Sequence, residues 1–210
     1  GVATNRSAAA QVIMVDNLKP RIVSTKAIER LLGELDFTNV LSFGIKYEGH
    51  RFYGVTLKNN NITLVYDVAE NMWAQWTDKD GNYFPISSTT FSSTLGRIIQ
   101  HESNGKLYLM DSIYYTDDGD VITTDLFTPN FDGGVRRRKQ LNILEFIGDQ
   151  TPGSTIQVRC NDFDYDPTKW TNFRKVDMGV KKPVLANCGT FMRRAYHLRH
   201  QSNTRLRLQA

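Results

Sequence analysis

Short apolar segments separated by turn-forming residues run through most of the sequence, and this pattern constrains the fold most. The clusters Asn59-Asn60-Asn61, Ser103-Asn104-Gly105 and Asp117-Asp118-Gly119-Asp120 each lie between segments rich in β-branched and aromatic residues. Asn and Gly accept the left-handed backbone angles of tight turns, so such clusters predict β-hairpins. The sequence therefore predicts an all-β protein built mainly from antiparallel strands.

One segment has a different period. In "VSTKAIERLLGEL", Ser24 or Thr25 can cap a helix, and Ile28, Leu31, Leu32 and Leu35 fall on one face. This predicts one short helix near the N-terminus. The residues before position 20 begin with small and polar side chains, and we expect a flexible lead-in over residues 1–19.

Composition limits the class of protein. Of the 210 residues, 40% are hydrophobic and 11% aromatic, which is enough for a packed core. The net charge of +4 is too small to indicate a nucleic-acid binder by itself. The longest apolar run, "AAAQVIMV", is too short to span a bilayer, so no membrane insertion is expected. The two cysteines, Cys160 and Cys188, allow one disulfide, but reduced thiols are the favoured interpretation.

Two hairpin series resemble each other. Each has a second strand that carries an aromatic residue and an Asp, "VYD" and "YLMD", and they repeat at roughly the 40–50-residue period of propeller blades. In such blades the Asp ends the third strand and the Trp begins the outer strand. Tyr66, Asp67, Trp73 and Trp76 are therefore interpreted as residues that pack one blade against the next.

The segment "NDFDYDPTKW" carries alternating carboxylates, Asp162, Asp164 and Asp166. Such a cluster can bind Ca²⁺, but the glycine and the distal Glu of the helix-loop-helix calcium motif are missing. A degenerate Asp-box turn, with Trp170 as a packing residue, is the favoured interpretation. Cys188, His197 and His200 lack the spacing of a transition-metal site, and the two histidines are expected at the surface.

No motif in the sequence indicates catalysis. There is no Gly-x-Ser-x-Gly elbow, and "FDGGV" lacks the Lys-Ser/Thr that completes a phosphate-binding loop. We therefore predict a protein that is not an enzyme and that has no cofactor and no metal.

Basic residues concentrate in the C-terminal part, whereas Asp111–Asp125 is acidic. Such a cluster can contact a neighbouring subunit, contact DNA phosphates, or lie on a solvated face. Subunit contact is favoured over DNA contact. The residues concerned are Arg136, Arg137, Arg138, Lys139, Arg193, Arg194 and Arg199.

A series of motifs, in order from about residue 20 to the end, resembles one family. The motifs are "RIVSTKAIERLL", "EGHRFYGVTL", "TLVYDVAENMW", "NGKLYLMD", "YTDDGDVITTD", "RRRKQLNILEF", "DYDPTKWTNF" and "FMRRAYHLRH". They are similar to the tail hub, or nozzle, proteins of short-tailed double-stranded DNA bacteriophages, which are also called packaged-DNA stabilisation or tail accessory proteins.

The resemblance implies a β-propeller protein without catalytic residues, of which this chain would be the C-terminal half. Residues 20–131 would form two blades with the helix, and residues 132–210 a further antiparallel β region able to close the propeller. The family assembles as a ring below the portal, expected to be a hexamer. That ring extends the DNA channel, helps to retain packaged DNA and attaches fibres or spikes.

The implied partners are the portal or adaptor, the fibre or spike proteins and, transiently, DNA. The implied location is the virion, after assembly in the host cytoplasm. One departure from a regular Asp-box is that Asp166-Pro167-Thr168-Lys169-Trp170 has no glycines, so this turn must differ.

Two other classes remain open. A glycan-binding or glycan-hydrolysing propeller would also combine blades, an Asp-box and aromatic residues, although no spacing here assigns sialidase-type residues. A kelch-like scaffold would normally show a double glycine in each blade, whereas "FYGV" and "LGRI" have one glycine each.

Overall fold

The computed structural model describes residues 1–4, 10–164 and 166–209, and the chain divides into two compact units, 1–111 and 112–210. The described part is mostly β-strand with one α-helix, and its strands pair antiparallel in separate sheets, none of which closes on itself. The predicted all-β class and the single helix are confirmed. The arrangement of the sheets as propeller blades stays a prediction.

The predicted domain boundary near residue 132 differs from this division. The strand Thr124–Phe127 pairs with Ala195–His200, which ties residues 112–131 to the C-terminal unit. This pairing could not be predicted from local patterns, because the two strands lie far apart along the chain.

The N-terminal unit begins with a three-stranded sheet in the order β1-β2-β3. Its strands are Val2–Thr4 (β1), Ala10–Asp16 (β2) and Lys19–Ile22 (β3). The described residues of the predicted lead-in, 1–19, are thus largely strand, since Ala10 and Val12 alternate with Gln11 and enter the core. Residues 5–9 of that lead-in lie outside the described residues.

The helix α1, Lys26–Gly33, begins where the sequence indicates. Thr25 is its N-cap, and the Thr25 hydroxyl accepts a hydrogen bond from the backbone N–H of Ile28 at 3.3 Å. Leu32 is buried, and its apolar neighbours on the same face pack with it against Val12 and Leu57. The predicted apolar face of the helix therefore covers one side of the N-terminal core.

Two further sheets complete this unit. The first is a four-stranded meander, in the order β4-β5-β6-β7, and the second is a three-stranded sheet, in the order β10-β9-β8. The strands are Val40–Tyr47 (β4), His50–Leu57 (β5), Ile62–Asp67 (β6), Met72–Gln75 (β7), Ile86–Ser92 (β8), Gly96–His101 (β9) and Leu107–Met110 (β10). A short 3₁₀ turn, Lys58–Asn60, links β5 to β6.

An apolar cluster joins these two sheets. Phe43, Ile45 and Val65 from the meander pack with Ile86 and Ile99 from the next sheet. The ring of Phe43 lies directly over Gly54 on the neighbouring strand, where a Cβ atom would be only 2.1 Å from Phe43 Cζ. Gly54 is therefore needed for the close approach of this ring.

The C-terminal unit contains shorter elements. Its strands are Thr116–Asp117 (β11), Asp120–Val121 (β12), Thr124–Phe127 (β13), Lys139–Gln140 (β14), Ile143–Glu145 (β15), Thr155–Asn161 (β16), Arg174–Asp177 (β17), Val184–Ala186 (β18), Thr190–Phe191 (β19) and Ala195–His200 (β20). The main sheet has the order β13-β20-β16-β17, while β11-β12, β14-β19 and β15-β18 form two-stranded sheets.

One face of the main sheet carries the core of this unit, in which Ile156, Val158 and Val176 pack with Phe146 and Met178. The side chains of β16 and β20 alternate, so the opposite face holds charged and aromatic groups. Across the described residues of both units, no helix is long and apolar enough to cross a membrane.

Candidate functional site

The aromatic residues after β6 lie inside the N-terminal unit. Tyr66 is buried, its ring centroid is 5.1 Å from that of Trp73, and the indole N–H of Trp73 donates to the Val23 carbonyl at 2.9 Å. Trp76 contacts Phe52 and Phe84, with ring centroids 5.2 and 5.5 Å away. These tryptophan rings are therefore in contact with protein groups of the same unit.

Asp67 is held by groups of the same meander. Its carboxylate is 2.5 Å from His50 Nδ1 and accepts the backbone N–H of Ala69 at 2.9 Å. Burial raises the pKa of Asp67, but these hydrogen bonds outweigh it, so the pKa lies below its ordinary value. This carboxylate thus helps to close the turn between β6 and β7.

Arg194 lies inside the C-terminal unit. Its Nε and Nη2 donate to the two carboxylate oxygens of Asp162 at 2.6 and 2.7 Å, and Nη1 donates to the Cys188 carbonyl at 2.6 Å. Its side chain is only 3% exposed. Burial lowers its pKa, yet the bond to Asp162 outweighs this effect and raises the pKa above the ordinary value. The expectation that Arg194 contacts a neighbour or DNA is therefore corrected, because its donors are used within the unit.

The other carboxylates of the Asp-rich segment are also engaged. Asp164 Oδ2 is 3.3 Å from both Arg136 Nη2 and Arg193 Nη1. Asp166 accepts from the Thr168 hydroxyl at 2.6 Å and from its backbone N–H at 3.0 Å. Among the described residues, no group of three His, Cys, Asp or Glu side chains could hold a metal ion.

A cleft of about 380 Å³ lies beside this segment. Its charged lining comes from the Asp-rich segment and from arginines, including Arg138, while Phe191 and Met192 supply apolar surface. Two buried polar atoms next to it, Asp164 Oδ1 and Arg193 Nε, make no hydrogen bond to any described residue. The described lining contains no Ser, Cys or His, and Thr190 supplies its hydroxyl group.

The remaining residues of the basic set differ in exposure. Arg137 and Arg138 are exposed, and Arg136 is largely exposed beside Asp164. Lys139 Nζ donates to the carbonyls of Arg137 and Met192 at 3.0 and 2.8 Å. The accessible cations of this set are therefore mainly Arg136, Arg137 and Arg138.

Arg199 belongs to a charged network on the main sheet. Arg199 Nε and Nη2 donate to the two carboxylate oxygens of Asp125 at 2.7 and 3.0 Å, and His197 Nε2 is 2.7 Å from Asp125 Oδ1. Arg159 Nε donates to His197 Nδ1 at 2.8 Å. Since guanidinium only donates, His197 Nδ1 must accept, and the imidazole is neutral with its proton on Nε2. Burial raises the pKa of Asp125, but the bonds from Arg199 and His197 lower it overall.

Aromatic rings surround this network. Phe127 stacks on His197 with centroids 4.0 Å apart, and Arg159 lies over the rings of Phe173 and Trp170 at 4.5 and 5.2 Å. The indole N–H of Trp170 donates to the Pro167 carbonyl at 2.9 Å. His197 is only 1% exposed and His200 is also buried, so the predicted surface location of both histidines is wrong.

The segment 112–127 contains several of the exposed apolar side chains of this unit. Every residue from 118 to 127 is exposed, and Ile113 and Tyr114 are exposed before them. In the edge strand β13, Leu126 is 49% exposed and Phe127 is 56% exposed. Edge strands of soluble proteins are usually covered or charged, so this edge is a candidate site for a partner.

The sequence indicated acidity in this segment but not its exposed edge. The alternation of Asp125 and Phe127 with Leu126 could have signalled two different faces. Cys160 and Cys188 are free thiols in the structure.

Among the described residues, fold and site together show a mostly β protein with charged and aromatic groups on one face of its C-terminal sheet and apolar side chains at the edge of that sheet. No protein family matches the chain, and no curated protein matches it.

Proposed function

We propose that the protein is a structural subunit of an oligomeric assembly. The observation that carries this proposal is its surface area, since the chain exposes 13784 Å². A folded monomer of 24.0 kDa exposes roughly 9,900 Å², and two separate globules of half that mass expose about 12,000 Å² together. The excess is about 1,800 Å², which is in the range that specific protein interfaces bury.

The composition of this surface supports the same role. The exposed side chains of the C-terminal unit include Ile113, Tyr114, Leu126 and Phe127 within one short segment. Large apolar side chains that cluster at a surface mark sites where partners bind. A solvated surface would favour charged residues at these positions.

The particular assembly we propose is the tail hub, or nozzle, of a short-tailed bacteriophage. The ordered sequence motifs support it, and so does the four-stranded meander β4–β7, since four-stranded antiparallel sheets are the blades of propellers. In this role the subunits form a ring below the portal, extend the DNA channel, help to retain packaged DNA and attach fibres or spikes. Arg136, Arg137 and Arg138 would then face neighbouring subunits.

The assembly proposal is tested by native mass spectrometry and analytical ultracentrifugation of the purified protein over a wide concentration range. We expect one discrete oligomer, with a hexamer as the specific expectation. A strictly monomeric protein at every concentration would contradict the proposal.

The phage location is tested separately. An antibody against the protein should label the tail directly below the capsid in electron micrographs of the phage that carries the gene. Labelling of intact particles only elsewhere, or no incorporation into particles, would exclude the tail hub role even if the protein is oligomeric.

A further inference from the structure

We propose that the main sheet of residues 112–210 continues from one copy of the chain into the next. In this arrangement β13 of one copy adds antiparallel to β17 of its neighbour. The inference rests on the proposed oligomeric function and names the surfaces that carry it. It starts from the two edges of the sheet, β13 and β17.

The backbone of β13 has polar groups that point away from its sheet. The Thr128 N–H donates to the Tyr196 carbonyl at 2.9 Å, next to the pairs Leu126–Leu198 and Thr124–His200. Hydrogen-bonded pairs alternate with non-hydrogen-bonded pairs along antiparallel strands. The backbone N–H and C=O groups of the even-numbered residues of β13 therefore point towards β20. The N–H and C=O groups of Asp125 and Phe127 therefore point towards the open edge.

The same reasoning applies to β17 at the other edge. The Met178 N–H donates to the Ser154 carbonyl at 2.9 Å, which continues the ladder between β16 and β17. By the same alternation, the backbone N–H and C=O groups of Val176 and Arg174 point towards β16, and those of Lys175 and Asp177 point away from the sheet. Each edge thus presents outward donors and acceptors at the odd-numbered residues.

One register between β13 of one copy and β17 of the next keeps side chains on their own face of the sheet and pairs opposite charges. Asp125, Arg199, Gln157 and Lys175 form a single row across the four strands, on one face of the sheet. If Asp125 of the next copy lies opposite Lys175, this row continues with an opposite charge, which stabilises cross-strand pairs. Lys175 is exposed and can reach such a carboxylate.

The register also gives the exposed aromatic residue of β13 a partner. When Asp125 lies opposite Lys175, Phe127 lies opposite Phe173, which directly precedes β17. Directly opposed aromatic residues are among the favourable cross-strand pairs. This pairing would cover part of the Phe127 surface.

The strand directions allow this addition without reversing the sheet. Successive strands in the order β13-β20-β16-β17 alternate in direction, so β13 and β17 run in opposite directions. A neighbour in the same orientation then presents β13 antiparallel to β17. Such a head-to-tail contact uses two different faces of each subunit, and it closes into a ring when the rotation permits. Two contact surfaces of about 800 Å² on each subunit would together bury about as much area as the excess accessible surface described above.

A two-fold contact between two β13 strands is less favourable. It would bring the Asp125 carboxylates of the two copies close to each other, and it would leave the edge of β17 uncovered. Like charges near each other across strands destabilise the pair. The head-to-tail contact is therefore the arrangement that the charges favour.

The first test is Lys175→Glu, with Lys46→Glu as the matched control. Both change one exposed strand lysine to glutamate, but Lys46 lies on β4 in the other unit. Since the variant places like charges opposite each other, we expect the subunit dissociation constant from ultracentrifugation to rise about tenfold for Lys175→Glu. The control should leave it unchanged. Equal effects of the two variants, or no effect of Lys175→Glu, would overturn the proposal.

The second test is cysteine crosslinking between copies. Leu126 and Arg174 would form a non-hydrogen-bonded pair with Cα atoms about 4.5 Å apart, within the range of a disulfide. Leu126→Cys and Arg174→Cys proteins are expressed together, and each alone as the control for background from Cys160 and Cys188. We expect a covalent dimer only from the co-expressed pair, by non-reducing electrophoresis and peptide mass spectrometry.

The outcomes separate this inference from the proposed function. A covalent dimer of Leu126→Cys alone would show the two-fold contact and overturn the head-to-tail arrangement. An oligomer that forms without the mixed crosslink would overturn the strand addition but leave the assembly role in place. An unchanged protein that never oligomerises would overturn both.

Discussion

The two units of the chain differ in what holds them together. Among its described residues, the N-terminal unit has two apolar clusters, and its strands β4 and β5 contain eight residues each. Among its described residues, the C-terminal unit has one apolar cluster, several strands of two or three residues, and ion pairs such as that between the buried Arg194 and the more exposed Asp162. Aromatic rings contact other rings around Trp76, whereas around Arg159 they contact a guanidinium.

This difference has consequences for stability. Apolar contacts are not directional and depend little on pH, whereas ion pairs and hydrogen bonds need specific geometry and specific protonation states. We therefore expect the C-terminal unit to be the more sensitive to acid and to single polar substitutions. The same unit carries the exposed edge strand, so its stability should also depend more on its partner.

The largest expected effect is that of Trp76→Ala in the N-terminal unit. The substitution removes the ring that contacts Phe52 and Phe84, and we expect a loss of about 3–4 kcal/mol in the free energy of unfolding. Hydrogen exchange should show faster exchange in residues 40–110 and little change in the other unit. Met72→Ala on the same hairpin, at an exposed position, is the control. Unchanged stability with loss of glycan binding would instead favour the glycan-binding class.

The reciprocal test is Arg194→Met in the C-terminal unit. It removes the buried guanidinium that donates to both oxygens of the more exposed Asp162 carboxylate, and losing these charge-assisted hydrogen bonds should cost about 2 kcal/mol. Arg193→Met is the matched control, because Arg193 is more exposed and its pair with Asp164 is longer, so we expect a loss below about 1 kcal/mol. Both are measured by urea unfolding with hydrogen exchange to locate the change. Equal losses would show that the Arg194–Asp162 pair stabilises the unit no more than the Arg193–Asp164 pair does.

A smaller effect concerns pH and His200. Burial lowers the pKa of His200 below the ordinary value of 6.5, so the unfolded chain binds its proton more readily. The stability that comes from keeping His200 neutral is therefore fully present above pH 6.5, and it is lost as the pH falls towards the pKa of His200 in the folded state. We expect His200→Gln to make the free energy of unfolding less sensitive to pH in this window, as measured by urea unfolding at a series of pH values. If the wild-type and variant stabilities change in parallel with pH, His200 is not the sensor.

The smallest expected effect is that of Arg137→Ala combined with Arg138→Ala. Both side chains are exposed, so the free energy of unfolding should change by less than about 0.5 kcal/mol. A thermal melt checks the stability, and native mass spectrometry checks the oligomer. A large loss of stability would mean that these arginines support the fold of the C-terminal unit rather than its contacts.

Local features were predictable where the signal lies close in sequence. Thr25 and the apolar face of α1 follow from a capping residue and a helical period, and the turns at Asn59–Asn61 and Ser103–Gly105 do join antiparallel strands. The pairing of β13 with β20 was not predictable, because it joins Asp125 to Arg199 across 74 positions. The burial of Arg194 and His197 was missed for the same reason, since their partners are distant in the sequence.

The Phe43 ring over Gly54 limits the order in which this region can change by mutation. Any side chain at position 54 collides with the ring, so Gly54→Ala alone should be harmful. The same substitution becomes tolerable once position 43 carries a smaller residue, such as Val. The two positions therefore behave as one epistatic pair, in which a change at 43 must precede a change at 54.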